Sequence, residues 1–473
     1  MTPDDARPRP EPGSFRDPQT RIFLAGGEVL RGLGPRAAQD WKALRDSDFF
    51  AAAQADGSVT ATEEVERELP GEPGTWTATL RHAPLPFVTY PYEWSHAMLQ
   101  DAAALHLDLL QRALAAGFTM KDGSAYNVQW RGAARPEFID VGSFEPARPG
   151  EPWAGYRQFC QTLLYPLMLQ AHLDLDPRPL LRAQIDGITP GQMRRMLGGT
   201  KRLAPGVLKH VHLHDSMQNR NAATSTGAVR AQLRDAGFTD ELVAAAARAM
   251  AKLVAKLDWR PPATHWGDYR ETCSYTDADA AAKAAFVDAA LAAAPAKDLV
   301  LDLGANDGAF SRQAARAGAY VVAVEADAAV VDTLYRRLKA EGERRILPIV
   351  MDLADPSPGG GWAGVERSGF GARAAAADVT LALALVHHLA IGRNVPLPAI
   401  VDWFAGMGRH LVVEFVHPDD PMARRLLANK PDGLFPDYHV ETFVRLLGER
   451  FDIARRETLP GGTRTLLAGV RRA

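Results

Sequence analysis

Two neighbouring stretches decide the fold: Val300-Leu-Asp-Leu-Gly-Ala-Asn-Asp-Gly308 and Tyr320-Val-Val-Ala-Val-Glu-Ala-Asp327. The first leaves an apolar run and enters a helical pattern through a loop that carries Gly304 and Gly308. Glycine has no Cβ, so the backbone there can approach a ligand closely. About 17 residues beyond Gly308, Glu325 ends the second apolar run. An acid at that point can accept hydrogen bonds from both hydroxyls of a ribose. A glycine loop alone is a weak signal. Here strand, loop, helix, second strand and terminal acid follow one another in order.

The pattern extends outward from this unit. From Lys297 onward, short β-type runs (299–303, 320–324, 346–350, 379–385, 410–416) alternate with helical ones (308–317, 328–340, 397–407). Such alternation predicts a parallel sheet with helices on both faces. The end of the chain differs. Phe451–Leu459 and Arg464–Val470 flank Pro460-Gly-Gly-Thr463, which predicts a hairpin.

A loop of this kind serves dinucleotides as well as S-adenosylmethionine. Three features favour the second. Asp302, ahead of the loop, suits a cationic ligand with an amino group better than a pyrophosphate. Asn306 stands where a dinucleotide loop places its middle glycine. The terminal hairpin adds an antiparallel strand that dehydrogenase sheets usually lack.

On these residues, 297–473 resembles the class I S-adenosylmethionine-dependent methyltransferases. The resemblance implies an α/β domain with a doubly wound, seven-stranded Rossmann-like sheet. It implies that Gly304, Asn306 and Gly308 hold the methionine part of the cofactor with Asp302 nearby. Glu325 would bind the ribose, and Asp352, in Val350-Met-Asp-Leu353, the adenine amine. The strand from Asp378 to Leu385 runs into Val386-His387-His388-Leu389, at the carboxyl edge beside the transferred methyl group. His387 or His388 would serve as a general base, or else cap the following helix or pack against the cofactor. Methyl transfer is an in-line displacement in which positioning dominates. A base matters only where the acceptor must lose a proton.

A second constellation lies in the first half: Lys121-Asp122-Gly-Ser-Ala-Tyr-Asn127, then Phe138-Ile-Asp140-Val-Gly142. An acid, an asparagine five positions later, and a further acid before X-Gly resemble the protein-kinase-like catalytic loop and metal-binding segment, over about residues 90–145. In an active site of that kind Asp122 would orient and deprotonate the acceptor hydroxyl. Asn127 and Asp140 would hold magnesium against the phosphates of ATP. The departures are specific. Met120 stands where histidine is common, Gly26-Gly27 and Gly32-Leu-Gly34 are poor phosphate loops, and Lys42 sits in a helical pattern, leaving Arg31 as a possible substitute. Three readings stay open: a binding domain that no longer transfers phosphate, an active phosphotransferase, and ordinary turn and strand-end acids.

Length, 473 residues, predicts roughly three domains at about 150 each. The motifs group the chain as a disordered leader (1–20), a kinase-like α+β accessory region (21–260) with a helical later part, an aromatic linker and helix (261–296), and the cofactor domain (297–473). Fifty-seven acidic against 54 basic residues give a net charge of −3, which disfavours a nucleic-acid partner bound by bulk positive charge. Cys160 and Cys273 make no disulfide framework, which fits a reducing cytoplasm. No apolar run is long enough to span a membrane.

Smaller signals have plainer readings beside the functional ones. His210-Val-His212-Leu-His214 alternates as a strand face would, either for a metal or as a polar edge. The polar stretch Gln218–Gly227 reads as a loop or lid. Trp266, Gly267, Asp268, Tyr269 and Tyr275 could close over the cofactor or pack between domains, and Cys273 has no activating neighbour. Together these point to a methyltransferase that modifies oxygen or nitrogen on a small molecule or carbohydrate. A phosphotransferase or bifunctional enzyme using Mg-ATP, and a non-catalytic scaffold, are the alternatives.

Overall fold

The computed structural model describes residues 7–148, 150–216, 239–261 and 275–472. Gln218–Gly227, Trp266, Gly267, Asp268, Tyr269 and Cys273 lie outside the described residues. The chain divides into two compact units. Unit 1 comprises Met1–Trp130, Arg135–Arg260 and Gly360–Arg367. Unit 2 comprises Arg131–Ala134, Pro261–Gly359 and Ser368–Ala473.

Unit 1 opens with a five-stranded antiparallel sheet. Its strands are β1 (Arg9–Pro10), β2 (Thr20–Ala25), β3 (Glu28–Leu33), β4 (Thr62–Val65) and β5 (Ala78–His82), in the order β1-β2-β3-β5-β4. Gly26 and Gly27, with φ of 55° and 86°, form the two-residue β2–β3 turn. That φ pair matches the right-handed twist of the flanking strands, so these glycines serve a hairpin. Residues 1–20, expected as disordered, are ordered from Arg9: Arg9 pairs with Leu24, Ser14 Oγ accepts the Ile22 N–H, and Arg16 holds Glu366 at 2.5 Å. A leader rich in proline and charge still orders when it has strand and ion-pair partners.

After the sheet, the helix His96–Ala115 carries the buried row Met98, Ala102, Leu109 and Leu110 expected of it. Ser95 Oγ caps its start by accepting the Met98 N–H, and Gly117, at φ 81°, follows its end. Two short pairs follow: β6 (Phe118–Met120) with β9 (Phe144–Pro146), and β7 (Val128–Trp130) with β8 (Pro136–Phe138). His106 lies within 5.4–5.9 Å of the rings of Phe138, Trp153 and Phe159, so this part closes around an aromatic core. The later residues are helical. His210, His212 and His214 stand in a helical stretch around the π-turn Leu208–Leu213, which corrects the strand expected from their alternation. On a helix His210 and His214 share a face, and they take the hydroxyls of Tyr156 and Tyr165 at 2.9 and 2.8 Å.

Unit 2 contains the seven-stranded sheet: β10 (Leu299–Leu303), β11 (Tyr320–Glu325), β12 (Ile346–Val350), β13 (Val379–Ala382), β14 (His410–Val416), β15 (Phe451–Thr458) and β16 (Arg464–Arg471). The order is β12-β11-β10-β13-β14-β16-β15, with the first five parallel and β16 antiparallel to both β14 and β15. Residues 299–303 are buried along their whole length, as a central parallel strand covered on both faces must be. Ala133 donates its N–H to Ile346 O at 2.9 Å, satisfying part of the open edge at β12. Order reverses between β10 and β13, and the carboxyl edge at such a switch point is where open α/β sheets bind ligands. No helix among the described residues is long and apolar enough to cross a membrane.

Candidate functional site

In unit 2 the loop after β10 takes the conformation its glycines allow. Gly304, Asn306 and Gly308 have φ of 79°, 46° and 76°. Asparagine is among the few non-glycine residues that enter this region readily, which explains how Asn306 replaces a glycine. The loop is tied to the neighbouring strand: Gly304 and Ala305 donate to Val324 O at 2.9 and 3.0 Å, and Asn306 N–H donates to Glu325 Oε2 at 3.1 Å. A Cβ on Gly304 would meet only Leu385, at 3.8 Å, so the space above that residue is open for a ligand.

Glu325 sits at the end of β11, with Oε1 accepting the N–H groups of Ala326 (2.6 Å) and Asp327 (3.0 Å). Burial raises its carboxyl above the usual range, while these three backbone donors oppose the shift. Asp302 is fully buried beneath the loop. Burial pushes it up to about 6, and Ser311 Oγ, donating at 2.6 Å, works the other way. Asp352 Oδ1 accepts the Ala354 N–H at 2.9 Å, and its other oxygen is in an ion pair with Arg393. Loop, ribose-side acid and Asp352 thus stand on consecutive strand ends, β10, β11 and β12.

On the other side of Gly304, β13 ends at Ala382, shorter than the run 379–385, and a turn with Ala384 at φ 52° leads to His387 and His388. Their ring centroids are 4.0 Å apart. His387 is fully buried, and neither ring nitrogen has a hydrogen-bond partner among the described residues. Burial, then His388, Arg464 and Lys283, push its pKa well below the ordinary imidazole value. Burial and Arg464 take His388 down to about 4. Both rings are therefore neutral near pH 7, and both are weak bases.

Sequence reasoning missed a group at this edge. Lys283, on the helix Asp277–Ala293, donates to Glu414 on β14 and to the Tyr275 hydroxyl, each at 2.7 Å. Arg464, at the start of β16, donates from Nε to Asp420 at 2.8 Å. A lone acid inside the apolar run His410-Leu-Val-Val-Glu-Phe-Val416 was the available signal. A charge in a buried strand requires a partner.

Unit 1 brings its three residues into one loop region. Asp122 Oδ1 accepts the Ser124 N–H at 2.8 Å. Burial, then Asp140, raise its carboxyl, with Asn127 among the groups opposing the rise. Burial alone would raise Asp140 too, but Arg31, at 2.6 Å, and Ser143 Oγ, at 2.5 Å, outweigh it and hold the carboxyl below its usual range. Arg31 comes from β3, and His82 on β5 accepts from its Nε at 3.2 Å. The charge that magnesium would neutralise at Asp140 is thus already met by a guanidinium. Among the described residues, no group of three or more His, Cys, Asp or Glu side chains could hold a metal ion.

Comparison with known proteins follows the same division. No protein-family profile matches the chain. Unit 2 has the class I S-adenosylmethionine-dependent methyltransferase fold. Similar solved structures include N-methyltransferase NodS from Bradyrhizobium japonicum WM9 (14% identity, TM-score 0.32, covering 42% of this chain and 98% of that one). Another is magnesium protoporphyrin IX methyltransferase (ChlM) from Synechocystis PCC 6803 with bound SAM (17%, TM-score 0.30, covering 45% and 86%). The nodulation protein NoeA of Rhizobium meliloti (strain 1021) is 33% identical over 478 residues, 98% of this chain and 96% of that protein. With both units inside that alignment, the chain belongs to the NoeA family.

Proposed function

We propose that unit 2 binds S-adenosylmethionine and transfers its methyl group to oxygen or nitrogen on a small molecule or carbohydrate. The observation that carries this reading is the Gly304–Gly308 loop, with three left-handed residues and a backbone bond to Glu325 at the switch point of the sheet. The cofactor supplies an electrophilic methyl on a sulfonium. The chain supplies position. Gly304 leaves room for the methionine part, Glu325 offers its remaining lone pairs to the ribose, and Asp352, sharing its carboxylate with Arg393, takes the adenine amine. His387 and His388 stand where the acceptor would lie, and their neutrality favours hydrogen bonding over proton removal. Calorimetry with S-adenosylmethionine tests the reading. Binding that is lost in Glu325→Ala supports it, and absence of binding in the parent chain sinks it.

For unit 1 we infer ligand binding without phosphate transfer. The Arg31–Asp140 ion pair favours this over a phosphotransferase, because a magnesium ion would have to compete with a guanidinium at 2.6 Å. Titration with Mg-ATP decides. ATP turnover abolished by Asp140→Ala would restore the phosphotransferase reading.

A further inference from the structure

At the carboxyl edge of the unit 2 sheet, four charged side chains are withdrawn from water. Lys283, Glu414, Asp420 and Arg464 are at most 6% exposed. The topology explains why they meet. Glu414 lies near the end of β14, Arg464 opens β16 opposite Val416, and Asp420 caps the helix Pro421–Leu427. Lys283 arrives from the helix that precedes β10. The Tyr275 ring lies between the two cations, 4.6 Å from the Lys283 ammonium and 4.1 Å from the Arg464 guanidinium carbon. A buried ionic network is weak evidence for stability, since apolar residues of similar volume often do as well. Its place beside a ligand edge makes it a candidate for function.

The anions of this network are committed. Glu414 receives Lys283 and Tyr275, with Arg464 at 3.6 Å, and Asp420 receives Arg464, Thr463 and the Met422 N–H. Burial would raise both carboxyls, yet the cations hold both below the usual range, so neither readily takes a proton. Asp302 lies under the cofactor loop with Ser311 on its Oδ2. The cations act beyond the network: Lys283 and Arg464 both disfavour a positive His387, and Arg464 a positive His388. His387 keeps two buried ring nitrogens without hydrogen-bond partners, which is the mark of a group that awaits a ligand.

We propose that the acceptor reaches this edge with an oxygen already anionic, a carboxylate or a phosphate, bound by the His387 N–H in the field of Lys283 and Arg464. This deepens the methyltransferase reading and rests on it. The acceptor oxygen forms its bond to the methyl carbon as the carbon–sulfur bond breaks, and that electron pair stays on sulfur. No proton moves, so a site whose imidazoles and carboxylates are poor bases is sufficient. A neutral hydroxyl or an ammonium would have to give up a proton that nothing here readily receives.

The test uses the full chain and four sugars: glucuronate, glucose 6-phosphate, glucose and glucosamine. Calorimetry with S-adenosylmethionine comes first, and failure to bind overturns the underlying function. Given binding, the complex with S-adenosylhomocysteine is titrated with each sugar, and tritiated methyl transfer is followed. At least one anionic sugar is expected to bind and accept methyl ten-fold better than glucose or glucosamine, at a rate constant between pH 6.5 and 9. Methanol release in mild alkali then marks a carboxylate ester, and resistance to it a phosphate ester. Preference for glucose or glucosamine, a rate that climbs through pH 7–9, or no binding and transfer with either anion each overturns the proposal. Lys283→Met is expected to abolish the preference and Lys283→Arg to restore it. Should the methionine variant not fold, His387→Gln, which keeps an N–H, is compared with His387→Phe, and equal preference in the two overturns the role of that donor.

Discussion

The Asn306 N–H donates to the Glu325 carboxylate at 3.1 Å, fastening the tip of the cofactor loop to the end of the adjacent strand. One carboxylate therefore shapes the loop and is the ribose partner in the proposed complex. Glu325→Ala is expected to weaken S-adenosylmethionine binding by about 10- to 100-fold, the equivalent of roughly 1.5–3 kcal/mol for hydrogen bonds to a charged group. Glu325→Gln, which keeps an acceptor oxygen, should lose less. Calorimetry on both variants checks the order.

The two loop glycines should fail differently when replaced. Gly308 is at φ 76° and its added Cβ would lie 3.0 Å from Leu334. Backbone strain of about 1–2 kcal/mol plus that crowding should lower the unfolding temperature of Gly308→Ala by roughly 4–8 °C. Gly304→Ala has similar strain but open space, so its stability loss should be smaller and its loss of cofactor affinity larger. Thermal melts with and without S-adenosylmethionine separate the two effects.

His387 and His388 should remain neutral across the physiological range. Histidine-selective NMR, assigned with His387→Gln and His388→Gln, is expected to show no titration of either ring between pH 5.5 and 8. The sign of the linked stability follows. A histidine whose folded pKa is depressed below its unfolded value of about 6.5 takes up its proton on unfolding. Its contribution is therefore intact above pH 6.5 and is lost as pH falls toward about 4 for His388, and toward about 3 for His82 and His106. Chemical denaturation at pH 7 and pH 5 should show the lower stability at pH 5.

Breaking the Arg31–Asp140 pair leaves a carboxylate in a buried loop. Arg31→Met is expected to cost about 3 kcal/mol at pH 7, the low end for a buried pair because Asp140 keeps some exposure. The pair holds Asp140 low, so its contribution is complete above about pH 4 and is lost as pH falls through the folded pKa. In Arg31→Met the deficit should shrink as pH falls toward 4, since a protonated Asp140 needs no cation. Urea titrations of the parent and variant at pH 7 and 4.5 measure the difference.

What the sequence disclosed follows from distance along the chain. The loop, Glu325 and the strand pattern around them are local, so periodicity and glycine spacing expose them. The Lys283–Glu414–Arg464 group draws on a helix and two strands up to about 180 positions apart, and only topology assembles it. His210, His212 and His214 show the opposite failure. Alternation of polar and apolar residues fits a strand, but the tyrosines at 156 and 165 offer partners to a helical face instead. Arg31 was visible only as a candidate, because its partner Asp140 lies 109 residues away.

The assignment of Gly360–Arg367 to unit 1 carries a consequence for biogenesis. During synthesis unit 1 cannot be complete until residue 367 has left the ribosome, because Glu366, almost wholly buried, is the partner of Arg16. By then β10, β11 and β12 have already been made. No single cut liberates either unit whole, and a fragment beginning near residue 275 lacks the Ala133 hydrogen bond at β12. The two halves are thus bound to mature as one polypeptide, and dissecting their activities calls for point substitutions in the intact chain.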